Sequence, residues 1–387
     1  MSYPNIQEFL EDFEKQNDLL GKGTYGEVYK MKTKRCINPE LEKVQEGQDG
    51  YNGQYYAVKM MNAKTEKSFT TIQKEFLILK SLPNQHPNII KLYKSYAWAN
   101  QITKNYTLVL VMELADKSLM KEIEERRLAN KYFSDDQLQQ IFLQCIQTLN
   151  DIKLHSNIYH RDIKPENILL NKEQQIIITD FGVSRKLMKE KLPTINGTLV
   201  GTPAYLSPIL WKAFEEGQFQ ISKINKITHN VEKSDVYSLG VTLLQTTLLL
   251  NSEIQKLNSG EQGQQITQEL LRNVQNQKIK YILTRMLEHD EKQRATYNEL
   301  LQQLNETIPK QISQNKKPIF SYVEPKLGIK EQFSLQAKMK FENNSKKDQQ
   351  QNQQSPQQQL EQQTDVETIS QNQLNPQEII ENKIKEQ

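Results

Sequence analysis

The sequence has few cysteines, almost no excess of either charge and no long uninterrupted apolar run. Its 387 residues include two cysteines, Cys36 and Cys145, which are far apart and form no C-x-x-C pair. They exclude a disulfide framework and a cysteine-based zinc site, and they are typical of a reduced intracellular protein. The 50 basic and 47 acidic side chains give a formal charge of +3, which does not support binding to nucleic acid or to a membrane surface.

No segment has the composition of a membrane span or of a signal peptide. The longest apolar run, 236–250, contains Ser, Thr and Gln. It is shorter than the roughly 20 residues that a bilayer requires, so it is predicted to be a buried helix. The N-terminus is acidic and interrupted by Pro4, unlike the basic and then apolar layout of a signal peptide. We therefore expect an intracellular, cytoplasmic protein without a membrane span; a nuclear location is left open.

Hydrophobic patterning divides the chain into four segments. Residues 1–16 are interpreted as an N-terminal extension, and 17–113 as a strand-rich part with one helix over 69–82 and an inserted loop over 35–54. Residues 114–304 are predicted to be mainly helical. The Gln/Asn-rich tail, 305–387, cannot bury enough apolar surface to offset its chain entropy and is predicted to be disordered. Within the helical part, helices are expected at 137–155, 236–250, 268–287 and 297–304.

A glycine-rich motif, Gly21-x-Gly23-x-x-Gly26-x-Val28, lies between two segments of strand character. Backbone without side chains can fold over the oxygens of a triphosphate and offer N–H donors to them. A dinucleotide-binding turn would need a helix that begins at the glycines, whereas Val28 and Tyr29 continue a strand pattern. The motif therefore indicates a strand–turn–strand flap over a nucleotide, and a plain glycine hairpin is the alternative.

Lys59 and Glu75 form a candidate pair. Lys59 follows Ala57 and Val58 in a predicted strand, where an inward-facing ammonium is costly unless an anion neutralises it. Glu75, in the helix predicted over 69–82, is the natural partner and would leave the ammonium able to reach phosphate oxygens. A surface lysine beside a solvated glutamate is the alternative explanation of the same two residues.

Two further motifs follow in order along the chain. Residues 159–167 read YHRDIKPEN, and Asp180-Phe181-Gly182 comes after ILLNKEQQIIIT. With the glycine motif and Lys59, these blocks resemble the eukaryotic protein kinase family over residues 17–304, because H-R-D-x-x-x-x-N and D-F-G are both complete. The resemblance implies an α+β, two-lobed protein kinase fold. Its small lobe, 17–113, would be an antiparallel sheet with one main helix, and its larger lobe, 114–304, would be mainly helical.

The resemblance implies a role for each residue of the catalytic motifs. Asp162 is expected to accept or orient the proton of the substrate hydroxyl, and Asn167 and Asp180 are hard oxygen donors suited to Mg²⁺. Lys164 and Thr202 resemble the Ser/Thr branch, in which the lysine steadies the transferred phosphate and the threonine hydroxyl bonds to the catalytic aspartate. The expected reaction is transfer of the γ-phosphate of Mg·ATP to Ser or Thr hydroxyls of protein substrates.

The resemblance also implies a set of ATP-binding residues. Residues 112–115 are expected to be the hinge whose backbone bonds to adenine, with Met112 limiting the back pocket. Val28 and Ala57 would enclose the ring, although Met112 and Ala57, taken alone, are more commonly explained by core packing. The expected ATP-binding residues are Leu20, Gly21, Gly23, Gly26, Val28, Ala57, Lys59, Glu75, Met112, Glu113 and Ala115.

Arg161, beside the expected catalytic aspartate, indicates control by phosphorylation. A guanidinium at this position resembles the arrangement in which an activation-loop phosphate pairs with buried positive charge. Thr198, three residues before Gly201, is the first candidate for that phosphate and Thr194 is the second. An upstream kinase would then be a partner. An ordinary loop threonine is the alternative.

The sequence departs from the family pattern at the end of the activation segment. Residues 207–209 read SPI where the family has Ala-Pro-Glu, so Arg294, which resembles the late arginine that anchors this segment, lacks its usual partner. A buried unpaired guanidinium is costly. We therefore expect either a replacement acid, Glu215 or Glu216, or an Arg294 that is more exposed than usual. Asp235 resembles the buried aspartate that supports the catalytic-loop backbone.

Two other functions are left open by the sequence. A protein that kept the fold without catalysis would act as a scaffold, but the catalytic lysine, aspartates, asparagine and glycines are all present. Alternatively, the Gln/Asn-rich tail drives self-assembly and the kinase domain is a passenger, although most such tracts are solvated linkers. The stretch 211–231 is longer than the family usually has, and it is either a neutral insertion or a partner surface.

Overall fold

The computed structural model describes residues 5–23, 26–37, 53–82, 86–100, 103, 105–187, 194–197, 200–217 and 227–305. Most of the predicted loop over 35–54, the candidate phosphosite Thr198 and all but the first residue of the predicted tail lie outside these residues. The helices are α1 Ile6–Asp12, α2 Glu66–Ser81, α3 Leu119–Leu128, α4 Asp135–Ser156, α5 Pro208–Gly217, α6 Val231–Leu248, α7 Gly260–Arg272, α8 Gln277–Met286 and α9 Tyr297–Asn305. The strands are β1 Phe13–Gly23, β2 Gly26–Thr33, β3 Tyr55–Ala63, β4 Leu92–Ala99, β5 Tyr106–Met112, β6 Lys117–Ser118, β7 Ile158–Tyr159, β8 Ile168–Leu170, β9 Ile176–Ile178, β10 Arg185–Lys186, β11 Thr194–Gly197 and β12 Ile227–Asn230.

The N-terminal part is a five-stranded antiparallel sheet in the order β1-β2-β3-β5-β4, with α2 against one face. α2 begins at a capping box in which Thr65 and Ser68 each accept a backbone N–H from the other. Such a box satisfies donors that the first turn of a helix leaves free. The sheet and its single long helix confirm the predicted small lobe.

The opposite face of this sheet is covered by α1. Phe9, 5% exposed, lies with its ring centroid 5.3 Å from that of Tyr96 and 5.9 Å from that of Trp98. Asp12 is fully buried and accepts hydrogen bonds from Lys94 and from the hydroxyl of Tyr96. The small-lobe structure therefore begins before residue 17, the boundary that the strand pattern predicts.

The C-terminal part is mainly helical, and the short β6-β8-β9 sheet lies beside it. α4 starts at a capping box between Ser134 and Gln137, and it ends where Asn157 takes a left-handed conformation. α6 is buried along nearly its whole length, which confirms the predicted core helix. None of the helices among the described residues is both long and apolar enough to cross a bilayer.

The single helix predicted over 268–287 is wrong. The chain forms α7 and α8 instead, with a break at residues 273–276. Asn276 caps α8 by accepting the backbone N–H groups of Lys278 and Ile279. An asparagine side chain that competes for backbone donors starts a new helix more readily than it continues an old one.

The long stretch 211–231 contributes regular structure on both sides of residues 218–226, which are not described. α5 occupies its first part, and β12 its last part. β12 pairs antiparallel with β11, with Thr194 opposite Asn230 and Gly197 opposite Ile227. The stretch is therefore joined by backbone pairing to the segment that precedes residue 198.

Candidate functional site

The register of the five-stranded sheet places several predicted ATP-binding residues on one face. Val28 pairs with Lys59, Lys59 with Leu110, and Ala57 with Met112. Directly paired residues of neighbouring strands point to the same side of a sheet, as do residues two apart along one strand. Val28, Ala57, Lys59 and Met112 therefore share the face that carries α2, away from α1.

Lys59 is held between two carboxylates. Its Nζ is 2.7 Å and 2.8 Å from the two carboxylate oxygens of Glu75, and 3.0 Å from Oδ1 of Asp180. Lys59 is 6% exposed and Glu75 2%, which excludes the surface-lysine explanation of this pair. Burial disfavours the ammonium, but the carboxylates of Glu75 and Asp180 outweigh burial and raise the pKa of Lys59. Lys59 therefore stays charged, as an anion-binding group must.

The hairpin of β8 and β9 brings the two predicted metal-binding residues together. Ile168 pairs with Ile178, so Asn167 and Thr179 are neighbours, and the Thr179 N–H donates to the Asn167 carbonyl at 3.0 Å. Asp180 follows with a φ of 61°, in the left-handed region that a non-glycine residue rarely adopts. Asp180, two residues after the end of β9, thereby places its carboxylate against Lys59.

Phe181 and His160 fix the base of this hairpin. Phe181 is fully buried, and its ring centroid is 4.9 Å from that of His160. His160 Nε2 lies 2.9 Å from the carbonyl oxygen of Thr179, and burial lowers the pKa of His160. A neutral imidazole that donates to this carbonyl therefore ties the H-R-D motif to the D-F-G motif.

Asp162 is contacted by three other predicted catalytic side chains. Its Oδ1 accepts the hydroxyl of Thr202 at 2.8 Å and the Thr202 backbone N–H at 2.9 Å. Its Oδ2 accepts the Asn167 amide at 3.1 Å and lies 2.9 Å from the Lys164 ammonium. Lys164 also donates to the Thr202 hydroxyl at 2.7 Å. Three of the four predicted catalytic residues therefore converge on the carboxylate of the fourth.

Asp235 supports the backbone that carries Asp162. Its two carboxylate oxygens accept the N–H groups of His160 and Arg161, each at 2.8 Å, from the first turns of α6. Burial raises the pKa of Asp235 to about 7, and the two backbone N–H groups oppose that shift. Arg161 takes a φ of 70° in the turn that these bonds hold. The predicted supporting role of Asp235 is confirmed.

The connection between the lobes contains the predicted hinge. Met112 is 6% exposed at the end of β5, opposite Ala57 of β3 and Leu92 of β4. The Glu113 backbone N–H donates to Lys91 at 3.1 Å, and the Glu113 carboxylate accepts the Lys91 N–H at 2.8 Å. Ala115 is partly buried against the core. The predicted hinge is therefore anchored at Lys91, before β4, by one backbone–backbone bond and one backbone–carboxylate bond.

The glycine motif forms the tip of the β1–β2 hairpin, where Gly23 pairs with Gly26. A Cβ on Gly26 would lie 2.2 Å from the carbonyl oxygen of Met60, so no larger residue fits there. Gly21 has open space around its α-carbon, and Leu20 is 51% exposed. The hairpin confirms the strand–turn–strand prediction, and only Gly26 is required by packing within the protein itself.

The oxygen atoms at the site suit a magnesium ion bound together with phosphate. Asn167 donates its amide nitrogen to Asp162, so its amide oxygen and the Asp180 carboxylate are the protein atoms that could hold the cation. No group of three or more His, Cys, Asp or Glu forms a metal site among the residues described. Magnesium needs no such cage, because it usually retains waters and takes one or two protein ligands alongside substrate phosphates.

Arg294 is buried and forms no ion pair with an acid among the described residues, Glu215 and Glu216 included, so both expectations for it are wrong. It is 1% exposed and donates to three backbone carbonyls, those of Glu288 at 2.7 Å, Lys233 at 2.9 Å and His289 at 3.1 Å. Its guanidinium also lies 5.0 Å from the ring centroid of Tyr237. Backbone carbonyls and an aromatic face satisfy the guanidinium, and Arg294 holds α6 to the α8–α9 connection.

Of the two candidate phosphosites, only Thr194 is among the described residues. Thr198 lies outside the described residues, so its role stays a prediction. Thr194 lies at the start of β11, where its backbone pairs with that of Asn230. Sequence reasoning missed three side chains that hold the segment after Thr202. They are Ser238, Gln245 and Asn258; Ser238 stands in the same block as Asp235, residues 234–240, and no motif marks the other two.

Comparison with known proteins agrees with this geometry. Residues 40–304 match the protein kinase domain family. The chain is similar to Serine/threonine-protein kinase nekl-2 of Caenorhabditis elegans, with 27% identity over 69% of this chain and 64% of the relative. It is also similar to Probable serine/threonine-protein kinase nek1 of Dictyostelium discoideum, with 27% identity over 74% of this chain and 54% of the relative. Calcium-dependent protein kinase 5 of Plasmodium falciparum is 34% identical over 53% of this chain and 31% of its own length.

In each of these three comparisons the aligned region is less than two thirds of the relative. The family match begins after β2 and includes both the H-R-D and the D-F-G motifs. Because it covers more than half of the residues and the site has the arrangement described above, the chain belongs to the eukaryotic protein kinase family.

Proposed function

We propose that the chain is a Ser/Thr protein kinase that transfers the γ-phosphate of Mg·ATP to Ser or Thr hydroxyls of protein substrates. The observation that carries this proposal is the convergence of Lys164, Thr202 and Asn167 on Asp162, together with the ion pairs from Lys59 to Glu75 and Asp180. These contacts bring the groups that the reaction needs to one place.

In the proposed reaction, the acceptor oxygen forms a bond to the γ-phosphorus as the bond from that phosphorus to the β,γ-bridging oxygen breaks, and ADP leaves. Asp162 orients the acceptor hydroxyl and takes its proton. Lys59 binds the α- and β-phosphates, and Lys164 neutralises charge on the transferred group. When bound, magnesium supplies charge neutralisation at the phosphates, and Asn167 and Asp180 would hold it.

Preference for Ser and Thr is supported by the Lys164–Thr202 contact at 2.7 Å. A lysine fixed at this position by a threonine is the arrangement that the Ser/Thr branch implies. Control by phosphorylation at Thr198, through an upstream kinase or by the enzyme itself, is part of the proposal. Arg161 lies in the catalytic loop, and burial lowers the pKa of its guanidinium, so a nearby phosphate would stabilise its charge.

The test is phosphate transfer by the purified full chain, measured with radiolabelled ATP and a degenerate Ser/Thr peptide library. We expect turnover of about 1–100 s⁻¹ on a good substrate, which is typical of kinases. Asp162→Asn and Lys59→Met should lose at least about three orders of magnitude in kcat/KM, because each removes a charge that acts in the transition state. Circular dichroism and thermal melting should show that both variants remain folded. Transfer by Asp162→Asn at the wild-type rate would contradict the assignment.

A further inference from the structure

The segment that begins at Thr202 contacts Asp162 at its start. Side chains of α6 and of the α6–α7 connection bind the rest of it. We name residues 202–207 the acceptor loop, because Thr202 contacts Oδ1 of Asp162 and an acceptor hydroxyl must approach the same carboxylate. The first turn of the loop is a 3₁₀ helix, Pro203–Tyr205. Such a short turn provides few hydrogen bonds of its own, so its position depends on neighbours.

Asn258 supplies two of the bonds that hold the acceptor loop. It lies in the connection between α6 and α7, is 1% exposed, and donates from Nδ2 to the carbonyls of Pro203 and Leu206, both at 2.9 Å. Its amide oxygen has no partner among the described residues. A buried amide that leaves its oxygen unsatisfied is costly. The two bonds that Nδ2 donates are the hydrogen bonds of this side chain among the described residues.

Tyr205 provides a second set of contacts. Its hydroxyl donates to Oε1 of Gln245 at 2.7 Å, and its backbone carbonyl accepts the Ser238 hydroxyl at 2.7 Å. Gln245 is 1% exposed on α6 and donates its own amide to the Leu250 carbonyl at 3.3 Å. Two side chains of one rigid, buried helix thus fix both the ring and the backbone of Tyr205.

The end of the loop is held in the same way. The Ser207 hydroxyl donates to Oγ of Ser234 at 3.2 Å, and Ser234 Oγ lies 2.7 Å from Nδ1 of His229. Burial and the nearby guanidinium of Arg161 lower the pKa of His229 to about 4, so its imidazole is neutral at pH 7. Every side chain in this set is uncharged.

The ion pair that the family pattern predicts at the end of this segment is not formed among the described residues. Ile209 occupies the position at which an acid would pair with Arg294. Arg294 donates to the backbone carbonyls of Glu288 and Lys233 instead. Tyr237 connects the two regions, because its ring faces Arg294 and its hydroxyl donates at 2.9 Å to the carbonyl of Leu257, the residue before Asn258.

We propose that Asn258 is a positioning residue for the protein substrate, and that it keeps the acceptor loop in the place that aligns Thr202 with Asp162. The inference rests on the proposed kinase function and extends it. Asn258 touches neither nucleotide nor acceptor; it acts through the carbonyls of Pro203 and Leu206. Binding of the acceptor peptide therefore depends on Asn258, and binding of ATP does not.

The test compares the full chain with its Asn258→Leu variant, which keeps the side-chain volume and removes the donor. Asn251→Leu is the matched control, because Asn251 lies exposed in the same α6–α7 connection. We expect Asn258→Leu to raise KM for a Ser peptide about ten-fold and to leave KM for ATP within about two-fold, and the control to change neither. A general loss of folded enzyme would lower kcat and leave both KM values unchanged.

Hydrogen exchange of the amides of residues 204–207 provides a second readout that needs no activity. We expect these amides to exchange at least about ten-fold faster in Asn258→Leu than in the wild type, because opening of the loop loses two restraining bonds. Unchanged exchange together with an unchanged peptide KM would overturn the proposal. If the wild type transfers no phosphate, the proposed function fails, while the exchange comparison still decides whether Asn258 anchors the loop.

Tyr205→Phe decides the matter if Asn258→Leu does not fold. This variant keeps the ring and removes only the bond to Gln245. A rise in peptide KM of about three-fold or more, with KM for ATP unchanged, would support anchoring of the acceptor loop from α6 and its following connection. Equal peptide KM values for Tyr205→Phe and the wild type would count against it.

Discussion

At the scale of single residues, the site is held by side chains that each make more than one contact. Thr202 binds Asp162 through both its hydroxyl and its backbone N–H, and it accepts a bond from Lys164. A side chain with several partners fixes the geometry of all of them. Asp162 is accordingly oriented from two directions, by Thr202 at Oδ1 and by Asn167 at Oδ2.

Thr202→Val tests this arrangement at one atom. Valine keeps the shape of the side chain and the backbone N–H bond but removes the hydroxyl. Because bonds to charged groups contribute about 1.5–3 kcal/mol, we expect kcat/KM to fall about 10- to 100-fold. Thr202→Ser keeps the hydroxyl and should stay within about three-fold of the wild type. Steady-state kinetics on one peptide measures both, and equal losses in the two variants would show that the hydroxyl does not matter.

The lowered pKa of His229 leads us to expect that the folded chain loses stability in acid. Its pKa is lowered to about 4 in the folded chain, by burial first and by the charges of Arg161 and Arg185, whereas the unfolded value is 6.5. Between these values the unfolded chain binds a proton that the folded chain does not. The stability that His229 contributes is therefore complete above pH 6.5 and is lost as the pH falls toward 4.

His229→Asn should remove this dependence, since an asparagine can place a polar atom where Nδ1 meets Ser234. Chemical denaturation at pH 7 and at pH 4.5 should show a smaller loss in the variant than in the wild type, by up to about 3 kcal/mol. The raised pKa of Asp235 acts in the opposite direction, but it is present in both proteins and cancels in the difference. Parallel pH profiles would contradict the assignment to His229.

The residues that could be predicted from sequence are those whose chemistry requires a particular side chain at a fixed position within a motif. Lys59, Asp162, Asn167 and Asp180 belong to motifs, and the structure brings them to one site. The partners of Arg294 could not be predicted, because backbone carbonyls are supplied by any residue type and leave no sequence signal. Asn258 was missed for a related reason: it stands in a polar stretch in which nothing distinguishes it from a surface asparagine.

At the scale of elements, strand register decides which side chains meet. The β2–β3 pairing sets Gly26 opposite Met61 and Val28 opposite Lys59, so a shift of one residue would turn Lys59 away from Glu75. Close approach of Gly26 to the Met60 carbonyl fixes this register at the hairpin tip. The third glycine of the motif, Gly26, is therefore required for the packing of β2 against β3. This requirement is separate from the nucleotide binding that the motif is expected to provide.

Gly26→Ala should therefore destabilise the protein even without nucleotide. An added Cβ would lie 2.2 Å from the Met60 carbonyl, and we expect a loss of about 2 kcal/mol or more in the free energy of unfolding. Gly21→Ala is the matched comparison, because nothing lies within 4 Å of the added atom, and it should change stability by less than about 0.5 kcal/mol. Denaturation of both variants without ligand measures the difference. Similar midpoints would show that β2 can move away from β3 at no cost.

Predicted and observed elements differ where tertiary contacts or capping override periodicity. The single helix predicted over 268–287 is broken at Asn276, whose side chain caps α8. The N-terminal segment contains Phe9 and Phe13 within acidic sequence, a pattern that does not identify the surface it will cover. The folded sheet gives α1 its place, through the rings of Tyr96 and Trp98 against Phe9 and through the bond from Lys94 to Asp12.

At the scale of the whole molecule, a few contacts join the two lobes around the site. Lys59 of β3 reaches Asp180 after β9, and the backbone of Ile178 exchanges hydrogen bonds with Asn88 and Ile90. These contacts link the sheet to the hairpin that adjoins the predicted metal-binding side chains. The sequence motifs identify Lys59 and Asp180 separately, but only the folded chain shows that the two side chains are in contact.

The Gln/Asn-rich composition of the tail, which is expected to bury little apolar surface, leads to a prediction about shorter chains. A protein that ends at Asn305 should keep the melting temperature of the full chain, and its kcat/KM should stay within about two-fold. A protein that ends at residue 296 lacks α9. It therefore lacks four side chains that are each no more than 8% exposed in the full chain, those of Tyr297, Leu300, Leu301 and Leu304. Burial of such a side chain contributes roughly 1.5–3 kcal/mol, so four of them approach the whole stability of a domain and the shorter protein should not fold. Thermal melting and phosphate transfer measure both proteins. A loss of more than about ten-fold in kcat/KM for the chain ending at Asn305 would show that later residues contribute to the site.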